Sequence, residues 1–180
     1  MIDDIPREPI RFRLLVRISS LFAAVTGFIA LLGWGLHLPF LTSFVSGKIP
    51  MAPSTALLFV LYGIAVFLRT GLTWSSGAYW VGLVSNAAGT LVALLLFFLW
   101  ILGIHPTFEH LGFQAAGTVG GAPIGHMSPV TALCFLLASL SFFALPPSFT
   151  DRSRRARVAL YLASLLVATS CVLLLASLFG

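Results

Sequence analysis

Met51-Ala-Pro-Ser-Thr-Ala-Leu-Leu-Phe-Val-Leu and Met127-Ser-Pro-Val-Thr-Ala-Leu-Cys-Phe-Leu-Leu are one stretch used twice. Laid together, Met51, Pro53, Thr55, Ala56, Leu57, Phe59 and Leu61 match Met127, Pro129, Thr131, Ala132, Leu133, Phe135 and Leu137. Two unrelated apolar helices share Leu and Ala by chance. They do not readily share Met, Pro, Thr and Phe in one register. The stretch is therefore read as an internal repeat whose motif residues are Met51, Pro53, Thr55, Met127, Pro129 and Thr131. Each Pro is followed by a long apolar run and is expected in the first turn of a helix, where its missing N–H has no partner to lose. Ala52 and Ser128 are then the expected N-caps, and only Ser128 has a capping side chain.

The rest of the composition sets the solvent. The chain has 180 residues, 59% hydrophobic and 8% charged, with a mean hydropathy of +1.06. A soluble domain is about 45–50% apolar and about 25% charged, so the composition implies a membrane protein. Its apolar runs are continuous rather than alternating, which favours helices over a β-barrel. The net charge of +5 is read as topogenic charge beside the spans, not as a nucleic-acid surface. Cys134 and Cys171 lie in apolar runs and are read as core residues. No CxxC, Walker loop, G-x-S-x-G or zincin motif is present, so no cofactor and no catalytic residue is expected.

In chain order, residues 1–13 are a polar lead-in with Pro6 and Pro9, and residues 14–180 form one transmembrane module. Five spans are expected, at about 18–36, 52–68, 78–102, 128–145 and 158–179, each near the roughly 20 helical residues a bilayer requires. Gly82, Ser85, Asn86 and Gly89 mark a packing seam in the third span, with a polar pocket around Asn86 as the sharper alternative. Nine of the ten Lys and Arg residues flank the spans on one side, and only Lys48 lies on the other. By the positive-inside rule the N-terminus is cytoplasmic, in a multi-pass protein of the bacterial inner membrane. Gly35-Leu36-His37 and Gly103-Ile104-His105 close the first and third spans, so each repeat unit is a span, an outer loop and a motif span. The fold expected is an all-α polytopic bundle of two helix pairs plus half of a third, related by an axis along the membrane normal.

Ile49-Pro-Met-Ala-Pro-Ser-Thr-Ala-Leu and Gly121-Ala-Pro-Ile-Gly-His-Met-Ser-Pro-Val-Thr-Ala-Leu, with Leu102-Gly-Ile-His and Glu109-His110, resemble the N-terminal membrane module of PAS-containing bacterial sensor histidine kinases, also carried by hybrid kinases and some diguanylate cyclases. The resemblance covers most of the chain. It implies three helix pairs followed by cytoplasmic PAS and kinase domains, a homodimer through the full-length protein, and a two-component signal-input role. This chain stops half-way through a third pair. It is therefore not expected to be an enzyme itself, and kinase activity would lie in C-terminal domains outside it. The resemblance does not supply a stimulus.

All four histidines, His37, His105, His110 and His126, fall on the expected outer side, and so does Glu109. They are the candidate ligand-sensing residues. Imidazole and carboxylate also suit metals, but no metal site is expected, and interfacial histidines often only cap helices and face water. Because the motif helices start on this side, their N-termini favour an anion there, either a carboxylate ligand or Glu109 itself. The shared-site reading expects at least two of His105, Glu109, His110 and His126 within hydrogen-bonding reach of one another or of one ligand. Such a site would respond to periplasmic pH or to an acidic ligand. The partners expected are the lipid bilayer and an unidentified periplasmic or membrane-borne stimulus. The rivals are a transporter subunit, which calls for mid-span charge, a redox-complex subunit, which calls for intramembrane His ligands, and a purely structural anchor.

Overall fold

The computed structural model describes residues 10–42, 50–70, 76–104, 107–113, 118–119, 122–123, 125–144, 158 and 161–169. Helices dominate: α1 (Ile10–Gly35), α2 (Pro39–Thr42), α3 (Pro53–Arg69), α4 (Ser76–Ile101) and α5 (Pro129–Ala144). A 3-10 turn, Thr107–His110, and a two-residue antiparallel ladder, β1 (Thr118–Val119) with β2 (Ala122–Pro123), lie between α4 and α5. Residues 161–169 are helical as well.

Among the described residues, two helices are long and apolar enough to cross a membrane, Leu14–Gly35 and Gly77–Ile101. Only 17% and 28% of their apolar windows are buried, whereas the core helix of a soluble protein hides most of its apolar side chains. Phe22, Phe28, Leu91 and Phe98 are among the large side chains left facing outward. The expectation of five spans is thus met by two. Helices α3 and α5, at 17 and 16 residues, are shorter, because Pro53 and Pro129 stand at their first residues and set where each can begin. Thr70 ends α3, its Oγ1 donating to the Val66 carbonyl at 2.9 Å. The remainder of the expected fifth span lies outside the described residues. Helix α1 starts at Ile10, so Arg11, Arg13 and Arg17 belong to the helix.

Helix α3 is the centre of the bundle. It packs against α1 on one side and α4 on the other, while α5 packs on α4 and touches α3. Small residues set the first contact. A Cβ added at Gly63 would come within 2.7 Å of the Ser20 carbonyl oxygen, and one at Gly27 would strike the Ala56 carbonyl oxygen. Backbone therefore meets backbone across α1 and α3, the close approach that small residues permit in lipid. Aromatic rings fill the second contact. Phe135 of α5 meets Phe59 edge-on at 5.4 Å and Tyr62 at 5.3 Å. Tyr62 lies over Gly89 of α4, where a Cβ would fall 2.7 Å from its ring. At the far end of α3, Arg69 donates from Nη1 to the Phe142 carbonyl at 2.6 Å and lies over the Phe142 ring at 4.4 Å.

The caps of α1 and α4 correct one detail of the repeat. In α1 the bonds Leu38 N–H to Gly33 O (2.8 Å) and His37 N–H to Trp34 O (3.3 Å) form a Schellman end. In α4, Ile104 N–H to Leu99 O and Gly103 N–H to Trp100 O, both 2.9 Å, form the same end. The left-handed residue is His37 (φ 56) in the first and Gly103 (φ 69) in the second. His37 therefore corresponds to Gly103, and Trp34 to Trp100, so the two Gly-x-His triplets are out of step by two residues. Histidine is among the few residue types that enter this conformation at modest cost, which lets His37 serve where glycine is usual.

Gly63→Ala is expected to lower the melting temperature in detergent, because strain of roughly 1–3 kcal/mol from moving packed backbone exceeds the gain in helix propensity. Gly35→Ala serves as the contrast. Its added Cβ meets nothing nearer than Phe113 at 3.9 Å, so the propensity gain of about 0.5–1 kcal/mol stands alone.

Candidate functional site

Glu109 stands on the 3-10 turn before α5 and is buried, with 6% of its side chain exposed. A buried carboxylate requires hydrogen-bond partners, and Glu109 has one for each oxygen. Its Oε2 lies 2.9 Å from His126 Nδ1. Its Oε1 accepts the backbone N–H of Met127. Gly125, at φ 89, turns the chain in front of His126. Ser128 then caps α5, its Oγ accepting the Thr131 N–H at 3.1 Å and lying 2.8 Å from Thr131 Oγ1. Ala52, the cap of α3, makes no side-chain bond. The position open to an anion beside the second motif helix is occupied by the protein's own carboxylate.

His110 completes the cluster. Its ring packs edge-on against that of His126, with centroids 4.7 Å apart. Its Nδ1 is buried without a hydrogen-bond partner among the described residues. Burial, and next the neighbouring His126, hold its pKa below the usual imidazole value, with Glu109 pulling the other way. The unfolded chain thus takes up this proton more readily than the folded one. The contribution is unfavourable to the fold as pH falls below about 6.5 and absent above it.

The structure therefore brings Glu109, His110 and His126 together. His37 is not in this group: it is exposed, caps α1 and makes no bond or ring contact with the other three. His105 lies outside the described residues. Among the described residues, no three His, Cys, Asp or Glu side chains converge as a metal-binding set. Met51, Pro53 and Thr55 line the start of α3, where Pro53 and Thr55 are buried. Met127 is buried against the core, and Pro129 and Thr131 form the first turn of α5.

The start of the first motif helix is held differently. The Met51 N–H donates to the Thr42 carbonyl at 2.8 Å, and the Met51 carbonyl accepts from Trp34 Nε1 at 2.8 Å. Trp34 also stacks on Phe113, with centroids 6.5 Å apart. Phe113 in turn donates its N–H to the His110 carbonyl at 2.9 Å. The segments that follow α1 and α4 are thereby joined through Trp34 and Phe113. The Met127 amide was the functional group that side-chain motifs could not reveal, since a backbone N–H carries no residue signature.

A second polar group lies within the bundle. Asn86 of α4 is fully buried, and its Nδ2 donates to Ser139 Oγ of α5 at 3.0 Å. Thr90 Oγ1 bonds both Ser139 Oγ and the Asn86 carbonyl. Asn86 is the single asparagine of the chain and was legible as a polar position. Ser139, one serine among many, was not. Gly82 and Gly89 face α3, as a packing seam requires, while Asn86 reaches α5 and bonds Ser139. No protein-family model matches this chain, and no curated protein or solved structure matches it.

A double-mutant cycle on Asn86→Ala and Ser139→Ala is expected to show a coupling of about 0.6 kcal/mol, the usual scale for interhelical hydrogen bonds in lipid. Unfolding titrations of the two single variants and the double variant measure it.

Proposed function

We propose that this chain is the membrane-embedded input module of a bacterial two-component sensor histidine kinase. In this reading five spans cross the inner membrane as two helix-pair repeats and half of a third, with the N-terminus in the cytoplasm. The chain performs no catalysis itself. It receives a stimulus at its outer face and passes a change of helix packing to a cytoplasmic output domain, in a homodimer formed by the full-length sensor. A stimulus acts this way only if it favours one packing over another.

The observation that carries the reading is Glu109. One outer-loop carboxylate holds the amide at the start of a core-packed helix, so an event in the loop has direct purchase on the bundle. The sequence resemblance, the exposed apolar helices and the charge asymmetry support the same reading. A transporter is less favoured, because the buried group at Asn86 and Ser139 is uncharged. A structural anchor shares every feature except the clamp on Met127, and that clamp is what favours an input role.

Single-cysteine labelling in a background lacking Cys134 and Cys171 tests the placement. Positions 73 and 153 are expected to react from the cytoplasm, and positions 46 and 118 from outside. Labelling of position 153 from outside sinks the topology. For the signalling role, the module of the full-length sensor is exchanged for an unrelated anchor of equal topology. Autophosphorylation that still responds to the same stimulus after the exchange leaves only the anchor reading.

A further inference from the structure

The two motif helices begin alike in sequence but are held by different chemistry. Met51 N–H is held by a backbone carbonyl, that of Thr42. Met127 N–H is held by the Glu109 carboxylate. A carbonyl does not titrate, whereas histidine is the side chain whose charge changes near neutral pH, and His110 stands beside Glu109 on the same turn. From this asymmetry we infer that the second outer loop is an acid-released latch: protonation of His110 frees Glu109 from Met127 and His126 and loosens the start of α5, while the first loop stays closed. This deepens the input-module reading by naming the proton as the stimulus, and its link to signalling rests on that reading.

The geometry supplies each step. His110 and Glu109 are neighbours on one 3-10 turn, so one cannot leave without disturbing the other. A charged His110 would sit edge-on to His126 at 4.7 Å, with its Nδ1 buried and no acceptor for it among the described residues. An imidazolium there is disfavoured by burial first and by the neighbouring His126 second. The proton is best accommodated when the turn swings outward and His110 reaches water. Glu109 moves with it, and the Met127 N–H loses its acceptor. His126 alone does not open the latch, because its protonation strengthens the pair with Glu109. Among the described residues, the groups facing His110 are Glu109 on its own turn and His126 on the segment leading into α5. Helix α3 also packs on this turn, but its titratable residues, Tyr62 and Arg69, lie more than two helical turns from Pro53.

Residue-resolved amide hydrogen exchange on the whole chain in lipid nanodiscs tests the latch, with rates corrected for the intrinsic pH dependence of exchange. Between about pH 7.5 and about pH 5, protection at Met127, Thr131 and Ala132 is expected to fall by about ten-fold or more. Met51 and Ala56 of the first motif helix are the internal control and are expected to hold. His110→Phe keeps an aromatic ring beside His126 without a titrating group, and is expected to keep the second helix protected at the lower pH. Glu109→Gln offers a neutral acceptor and is expected to show weaker protection of Met127 than wild type at the higher pH. Wild-type protection equal at both pH values overturns the latch. So does a parallel loss at Met51, or an acid response in His110→Phe as large as in wild type. The two readings separate cleanly. Exchange that behaves as expected, in a full-length sensor whose kinase ignores acid, keeps the latch and removes the input role. Exchange that ignores pH, in a sensor that answers another stimulus, does the reverse.

Discussion

Backbone contact between α1 and α3 is the constraint on which the remaining packing depends. Gly27 and Gly63 let carbonyl and amide groups of the two helices come together where any side chain would hold them apart. In lipid there is no hydrophobic gain from hiding apolar side chains, so dispersion across a close interface has to supply the association. With one face of α3 committed to α1, its other faces remain for α4 and α5. Tyr62 and Phe59 fill that space with rings rather than with backbone. The two sides of α3 are thus packed by different means. The α1 side leaves no room for adjustment. The α5 side meets through the rings of Phe59 and Tyr62 against Phe135.

Helix α5 is held at its start through Met127 and along its length by Phe135, by Ser139 and, at the opposite end, by the bond from Arg69 to the Phe142 carbonyl. These contacts form a continuous path along one helix, from the Glu109 cluster to the end where Arg69 lies. At the start of α3, Met51 is bonded by Thr42 and Trp34, and the helix is wedged against α1. The starts of α3 and α5 thus differ in what holds them. The chemical difference is a single carboxylate in place of a carbonyl.

Much of this was legible in the sequence, and for identifiable reasons. Composition required a helical chain with apolar surfaces, since backbone groups outside water must bond within their own segment. Pro53 and Pro129 set the starts of α3 and α5, because proline is tolerated in a first turn and little further in. Ser128 was recognisable as a cap from its hydroxyl and its place before Pro129. Glu109, His110 and His126 stood out as ionisable groups in an apolar chain. Their grouping was a reasonable expectation because loops return near the helices they join.

Tertiary structure alone decided the rest. Which faces of α3 meet α1, α4 and α5 depends on small differences in side-chain shape that periodicity does not encode. The choice of Gly27 and Gly63 among sixteen glycines as the points of contact is of that kind. His37 and His105 resembled each other in the sequence, yet the helix caps set His37 against Gly103, because the left-handed position is defined by hydrogen bonds and not by neighbours in the chain. The partner of Glu109 was likewise decided in space. Two imidazoles and a helix start all offered themselves to a carboxylate, and only the fold places His126 Nδ1 and the Met127 amide on its two oxygens while leaving His110 at its edge. Sequence determined that these groups would lie between α4 and α5, and geometry determined which of them hold each other.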